Sequence, residues 1–250
     1  MIDYSTRLAL GMAGGAVLAA WMARYRRIDL TQIWDLILAA ALNGLLAARL
    51  AYVAVNWAYY ADHVPRAFHL SDGGLSWHGG LVGALLAATI YCCVRRLPLG
   101  ATVDCLTPGA ALMAAAAWLG CFSVGCAYGI ETYPGQGWLW RLSMDLPDLY
   151  GLSAPRVPVQ LLGAGWGVLG LGLILLVRRR SLLRGLLFPL WLALYAGGSF
   201  FLTGLRADEA LMVAGWRLDR WVDLVFTAGA GLVLARGLSQ RLLVEQGGHG

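Results

Sequence analysis

Seven stretches without a single Asp, Glu, Lys or Arg run through the chain, at residues 8–23, 36–48, 73–94, 105–130, 157–177, 185–205 and 224–235. A helix needs about 20 predominantly apolar residues to cross the hydrocarbon of a bilayer. In lipid the backbone must satisfy its own polar groups, which restricts such repeated stretches to helices. The pattern predicts an all-α polytopic integral membrane protein with about seven transmembrane helices, built as a single transmembrane domain over residues 1–250. The second and seventh stretches reach spanning length only by taking in charges, Arg49 and Asp35 in one and Asp223 in the other. Composition agrees: 13% of residues are charged, where soluble domains carry about 25%. Disordered, fibrous and disulfide-scaffold classes are thereby excluded. The basic cluster Arg24, Arg26 and Arg27 follows the first stretch instead of preceding it, the reverse of a secretory signal, so that stretch reads as a retained anchor.

The formal net charge of +5 does not point to nucleic acid. The basic residues are all arginine and fall in short clusters between apolar runs, as topology determinants do. One side of the membrane collects Arg24, Arg26, Arg27, Arg95, Arg96, Arg178, Arg179, Arg180, Arg184, Arg236 and Arg241. The other collects Arg7, Arg66, Arg141, Arg156, Arg206, Arg217 and Arg220, diluted by Asp3, Asp62, Asp72, Glu131, Asp145, Asp148, Asp208, Glu209 and Asp219. The arginine-richer side is assigned to the cytoplasm, which puts the N-terminus outside and the C-terminus inside. Outer loops are then expected near 56–76, 128–155 and 206–220, and a site carried on them opens outward. Within the second loop, Trp138–Met144 reads either as a segment lying on the bilayer or as part of an aromatic belt with Trp57, Trp77, Trp216 and Trp221.

Five cysteines, Cys92, Cys93, Cys105, Cys121 and Cys126, lie in or beside apolar runs. On one helix Cys121 and Cys126 would be about 7.5 Å apart along the axis, beyond the usual reach of a disulfide. Both are expected to be buried small hydrophobes. A Cys-x4-Cys pair without a nearby histidine gives no metal site. Pro98, Pro108 and Pro189 are expected to mark breaks near span ends.

Chemistry-bearing residues stand out against this apolar background. Arg49 at membrane depth needs a reason: anion binding through its bidentate guanidinium, a structural pair with Asp35 or Asp223, or snorkelling to headgroups. His78 sits among glycines in Gly73-Gly74-Leu75-Ser76-Trp77-His78-Gly79-Gly80, where an imidazole can accept a proton near neutral pH. Arg156 precedes the fifth stretch, and Arg206 and Asp208 follow the sixth. Arginines converging near one histidine would make a phosphate pocket beside a base.

These residues carry a resemblance to the prolipoprotein diacylglyceryl transferase family, running from about Asp35 to Asp208. The family's Gly-Ala-Arg-Leu-x-Tyr-Val is echoed by Ala48-Arg49-Leu50-Ala51-Tyr52-Val53, and its Gly-Gly-x-Ser-x-His-Gly-Gly is matched in full by Gly73 to Gly80. Its Arg-x-Gly-(Cys or Asn)-Phe-x-x-Gly resembles Gly120-Cys121-Phe122-Ser123-Val124-Gly125, followed by Tyr128-Gly129. Its Pro-Arg-His-Pro-Ser-Gln-Leu resembles Pro155 to Leu161, including Gln160. Its Tyr-x-x-x-Arg-Phe-x-x-Glu-x-x-Arg-x-Asp resembles Tyr195 to Asp208, retaining Tyr195, Phe200, Arg206 and Asp208. The departures are Trp118 and Ser199, where the family has functional arginines, Thr203 where it has glutamate, and Leu162-Gly163 where it has Tyr-Glu.

The resemblance implies an enzyme of the bacterial cytoplasmic (inner) membrane. It would transfer the diacylglyceryl group of phosphatidylglycerol to the lipobox cysteine thiol of a prolipoprotein, with no cofactor and no metal. It implies His78 and Arg206 as catalytic residues, Arg49, Arg156 and Arg206 as ligands of the lipid phosphate, and Gly79, Gly80, Tyr128, Gln160, Tyr195 and Asp208 in support. The loss of two arginines leaves two alternatives open: a non-catalytic paralogue binding lipid or serving as a structural subunit of a membrane complex, and an enzyme acting on another phospholipid or thiol.

Overall fold

A computed structural model describes residues 4–70 and 73–247; Asp3 and Asp72, assigned above to the outer side, lie outside the described residues. Long apolar helices dominate: α1 (Tyr4–Arg26), α2 (Leu30–Val55), α4 (Trp77–Arg95), α5 (Leu99–Val124), α7 (Val159–Val177), α8 (Leu187–Thr203) and α9 (Leu218–Gly247), with short helices α3 (Trp57–Tyr60) and α6 (Trp138–Leu142). Six of the long helices have the length and apolarity to cross a membrane, and α8 is an apolar helix of 17 residues, or about 26 Å. The fold is therefore that of an all-α polytopic membrane protein. Arg49 and Asp35 do lie within α2, and Asp223 within α9. Large apolar side chains face outward at four-residue spacing, Leu38, Leu42 and Leu46 on α2 and Val82, Leu86, Ile90 and Val94 on α4. In water such stripes would drive aggregation; in lipid they are the solvated surface.

The chain forms two compact units, Ala20–Val103 and the residues up to Ala19 with Asp104–Gly250, whose boundaries fall inside α1 and α5. In the first unit α2 packs on α4 through small residues. A Cβ on Gly79 would stand 2.4 Å from the Ala51 Cβ and 2.7 Å from the Ala47 carbonyl oxygen, and one on Gly83 2.4 Å from the Ala47 Cβ and 2.6 Å from the Asn43 carbonyl oxygen. Two backbones come this close only where side chains are absent, and in a bilayer that close packing supplies the attraction that hydrophobic burial cannot.

In the second unit α1 meets α5 the same way, with a Cβ on Gly109 reaching to 2.6 Å from the Gly15 carbonyl oxygen. Farther along α5, Gly167 of α7 lies against the Ala115 backbone, and the Trp166 indole donates to the Leu194 carbonyl of α8 at 3.2 Å. Asp104 is fully buried and accepts from the Gly185 amide and from the Leu187 amide at 2.9 Å and the Phe188 amide at 3.4 Å. These are amides at the start of α8 with no intrahelical acceptor, so a carboxylate on one helix caps another. Arg241 of α9 donates to the Ser181, Leu182 and Arg184 carbonyls of the turn that precedes α8.

Two local expectations are corrected. Cys121 and Cys126 form a disulfide with a Cα–Cα distance of 4.7 Å. They do not share one helix: α5 ends at Val124, short of 130, because Gly125 (φ 71°) and Ala127 (φ 51°) are left-handed and the Cys126 amide turns back to the Cys121 carbonyl at 3.1 Å. A helix C-terminus closed by left-handed residues reverses the chain and removes the axial separation. Pro108 does not break α5 but lies inside it. It removes one hydrogen bond, that to the backbone carbonyl of Asp104, one turn earlier. After α6, Met144 enters a hairpin, β1 (Met144–Pro147) with β2 (Ser153–Arg156), in which it pairs with Arg156. A second small pair joins β3 (Met212–Val213) and β4 (Trp216–Arg217).

Replacing Asp104 by Ala orphans the α8 amides and is expected to cost about 1–3 kcal/mol, read as a lower thermal midpoint in detergent. Asp104→Asn, which keeps an acceptor oxygen, should lose less.

Candidate functional site

His78 and Arg49 belong to the Ala20–Val103 unit. Gly73 and Gly74 are left-handed (φ 75° and 74°). A Cβ on Gly74 would lie 2.4 Å from the Tyr52 ring and 2.9 Å from Arg49 Nη1, so the block requires glycine there. The Ser76 amide donates to the Ala48 carbonyl at 3.0 Å, and the Ser76 hydroxyl accepts from the Gly79 amide at 3.3 Å, capping α4. His78 follows as the second residue of that helix, half-buried, with its ring 6.1 Å from that of Trp77. Gly79 and Gly80 face α2.

Arg49 is 5% exposed. Its Nε donates to the Ala67 carbonyl at 2.8 Å, Nη1 to Gly73 at 2.5 Å and Gly74 at 3.0 Å, and Nη2 to Arg66 at 2.6 Å and His69 at 2.9 Å. The guanidinium also lies 5.4 Å from the Tyr60 ring centroid. A guanidinium has five N–H donors, and here each ends on a backbone carbonyl, so none is left for a phosphate in this arrangement. Of the two helix acids considered as its partner, Asp35 accepts from the Tyr91 hydroxyl at 3.3 Å, and Asp223, in the other unit, from the Thr203 hydroxyl at 3.4 Å.

Arg156, Arg206, Tyr128, Gln160, Tyr195 and Asp208 belong to the other unit. Residues 128–132 run as an extended segment between two others. On one side Thr132 donates to the Pro155 carbonyl at 2.8 Å and Val157 to Ile130 at 3.1 Å; on the other Ile130 donates to Leu205 at 2.9 Å and Ala207 to Tyr128 at 2.9 Å. Glu131 thus opposes Arg156 and Gly129 opposes Arg206, which places the two arginines on either side of one segment, on the order of 10 Å apart.

Arg156 is 4% exposed and pairs with Glu131 at 2.8 Å and Asp148 at 3.3 Å, its guanidinium 4.9 Å from the Tyr128 ring centroid. Its Nε is buried and has no acceptor among the described residues, and the buried Gln160 Oε1 has no donor. The Gln160 amide donates to the Cys126 carbonyl at 3.0 Å, tying α7 to the disulfide turn. Arg206 grips Asp208 through Nε at 2.9 Å and Nη2 at 2.6 Å, and Asp208 also receives Arg217 at 3.2 Å. Asp219 lies 3.6 Å from Arg206 and 3.8 Å from Arg217. Burial works against the Arg206 charge, but Asp208, then Asp219 and Asp223, more than offset it and hold its pKa above the ordinary value. Burial and then Asp148 and Asp208 raise the Tyr128 phenol despite Arg156, so that hydroxyl keeps its proton.

Four of the departures, Trp118, Gly163, Ser199 and Thr203, stand in packed surroundings. The Trp118 indole donates to the Tyr195 hydroxyl at 3.0 Å. A Cβ on Gly163 would fall 2.4 Å from that indole. Tyr195 in turn stacks on Trp191 at 5.3 Å, and Ser199 and Thr203 are buried one turn apart on α8.

Several site residues were not singled out from the sequence. Glu131, Asp148 and Arg217 were counted only as loop charges. Asp148 Oδ1 accepts from the Tyr150 and Leu152 amides at 2.8 and 2.9 Å, a turn for which Asp148 and Gly151 were the available signal. Arg220 lies between Phe200 (4.4 Å) and Trp216 (4.6 Å), its buried Nε without an acceptor among the described residues; nothing local in the sequence marks it.

The profile of the family described as prolipoprotein diacylglyceryl transferase matches residues 2–236. Proteins named phosphatidylglycerol–prolipoprotein diacylglyceryl transferase are similar along most of their length. That of Pediococcus pentosaceus is 30% identical over 95% of this chain and 87% of its own, that of Bacillus licheniformis 30% over 88% and 84%, and that of Clostridium novyi 29% over 97% and 94%.

The disulfide is checked by thiol titration of the unfolded protein: three free cysteines before reduction, five after it. Cys121→Ser and Cys126→Ser should each cost about 2 kcal/mol, as expected for so short a closed loop, and the double variant no more than either alone.

Proposed function

The chain belongs to the prolipoprotein diacylglyceryl transferase family, and on that footing we propose that it transfers the diacylglyceryl group of phosphatidylglycerol to the lipobox cysteine thiol of a prolipoprotein. The thiol sulfur attacks the glyceryl carbon that carries the phosphate ester, the carbon–oxygen bond breaks, and glycerol phosphate departs. A thiol near pKa 8.5 needs a base at neutral pH; His78 takes that proton. Arg156 and Arg206 neutralise the departing phosphate, the largest contribution a protein makes to such a step. Tyr128, Gln160, Tyr195 and Asp208 hold them in place. No cofactor or metal enters the reaction.

The observation that carries this reading is family membership over nearly the whole chain together with the intact Gly73–Gly80 block, which caps α4 and carries His78 in its first turn. Two details support the phosphate side. Arg156 Nε is a buried donor, and Gln160 Oε1 a buried acceptor, without partners among the described residues. Leaving such groups unpaired costs about 1–3 kcal/mol each, which a phosphate ester and a hydroxyl would recover. The carboxylates on Arg156 and Arg206 keep both guanidinium groups oriented before lipid arrives, and a phosphate takes over part of that pairing.

The same reading places the site on the outer face of a bacterial inner membrane. The arginine distribution supports this, and so does the disulfide at the end of α5, since such bonds persist in oxidising compartments. The second reading, a lipid-binding paralogue without turnover, is favoured by the Trp118–Tyr195 bond and the fit of Trp118 to Gly163. Two arginine positions have been rebuilt as neutral packing there.

Purified protein with labelled phosphatidylglycerol and a lipobox peptide is expected to yield the thioether lipid. His78→Ala should abolish it, and Arg206→Gln should lower the rate about 10²–10³-fold. Absence of product with lipid still bound supports the paralogue, as does activity that appears only when Trp118→Arg and Ser199→Arg are introduced together. For topology, a cysteine at Arg141 should react with an impermeant maleimide in cells with an opened outer envelope, and one at Arg179 should not; the reverse result inverts the orientation.

A further inference from the structure

We infer that Arg49 is a positioning residue whose task is to hold Arg66, Ala67, His69, Gly73 and Gly74 against α2 and so fix the backbone from which His78 projects. This deepens the transferase reading and rests on it for the role of His78.

The geometry is of a kind that a ligand-binding arginine does not have. An anion site presents two adjacent N–H groups to one pair of oxygens and leaves them open. At Arg49 the five donors diverge onto five carbonyls from Arg66, Ala67, His69, Gly73 and Gly74. Among the described residues around those carbonyls the regular structure is one 3-10 turn at Val64–Phe68. Where such a loop meets an apolar helix end, its carbonyls have neither helical partners nor freely available water, and a cation that satisfies five at once replaces both. The charge is thereby matched to dipoles, which answers why an arginine stands within the last two turns of α2.

The clamp leads directly to His78. Arg49 holds Gly73 and Gly74 in their left-handed turn, with Tyr52 closing the space where a Cβ would sit. Two residues on, Ser76 bonds the Ala48 carbonyl beside Arg49 and caps α4. Gly79 and Gly83 then seat that helix on Ala47 and Asn43. The imidazole is thus anchored from two directions, by the clamp before it and the glycine contact after it. Lysine cannot substitute, because it has three donors on one atom and no planar fork.

The test compares full-length wild type, Arg49→Lys, Gly74→Ala and His78→Ala in lipid nanodiscs. It reads hydrogen–deuterium exchange over residues 60–80 and transfer kinetics with phosphatidylglycerol and a lipobox peptide. Arg49→Lys should speed exchange in the loop at least about 10-fold and lower kcat about 10²-fold, while KM for the lipid stays within about twofold. Gly74→Ala, which leaves Arg49 in place but displaces the loop from it, should do the same; it also decides the matter if the lysine variant does not fold. His78→Ala should abolish transfer without altering exchange. A raised KM at unchanged kcat in Arg49→Lys, or wild-type loop protection in both clamp variants, overturns the inference. A wild-type protein that protects the loop in an Arg49-dependent way but transfers nothing removes the transferase reading and leaves the clamp standing.

Discussion

Backbone carbonyls and amides at the ends of membrane helices lose water before they find helical partners, and the unusual charges in this chain are placed where that happens. Arg49 takes five loop carbonyls, Asp104 takes three amides at the start of α8, and Arg241 takes the carbonyls of the preceding turn. Unsatisfied groups in hydrocarbon cost several kcal/mol each. A full charge becomes tolerable when it replaces several of them at once. Irregular backbone can then exist at membrane depth, and irregular backbone is what carries the glycine-histidine block and the turn after α5.

The arginine-bearing unit follows a related logic. Arg156 and Arg206 flank one extended segment, and each is held by carboxylates: Glu131 and Asp148 for the first, Asp208 and Asp219 for the second. Burial of these guanidinium groups carries a desolvation cost that the carboxylates offset, while Glu131 and Asp219 stay partly solvent-exposed. Departures from the family pattern come in complementary sets. Trp118 faces Gly163, and Ser199 lies one turn from Thr203, so the positions where the resemblance expects arginine and glutamate carry neutral residues side by side. A lone arginine or glutamate left behind would be a buried charge without a partner, which is strongly destabilising. In the proposed reaction the remaining cations must therefore carry the phosphate.

Helix number and placement were legible because lipid imposes a single length scale and one permissible secondary structure. The seven uncharged stretches map onto α1, α2, α4, α5, α7, α8 and α9. The boundary of α5 was missed, and with it the disulfide. Two left-handed residues, one of them Ala127, decide where that helix turns, and alanine gives no warning of a positive φ. His78 was legible because a capping serine among glycines has a local meaning. The Arg49 clamp was not, since its acceptors are carbonyls, which every residue possesses and no sequence distinguishes.

The sequence by itself determined that this chain spans a membrane as helices, which residues bear charge or a titratable ring, and which family it resembles, because hydrophobic length and short motifs are properties of neighbouring residues. Only the tertiary structure decided which donors meet which acceptors: that Arg49 is bound to its own loop, that Arg156 and Arg206 share one extended segment, and that Trp118 fills the space over Gly163. Hydrogen bonds and packing act over a few ångströms in space between residues 17 to 84 positions apart along the chain, and no local pattern encodes that distance.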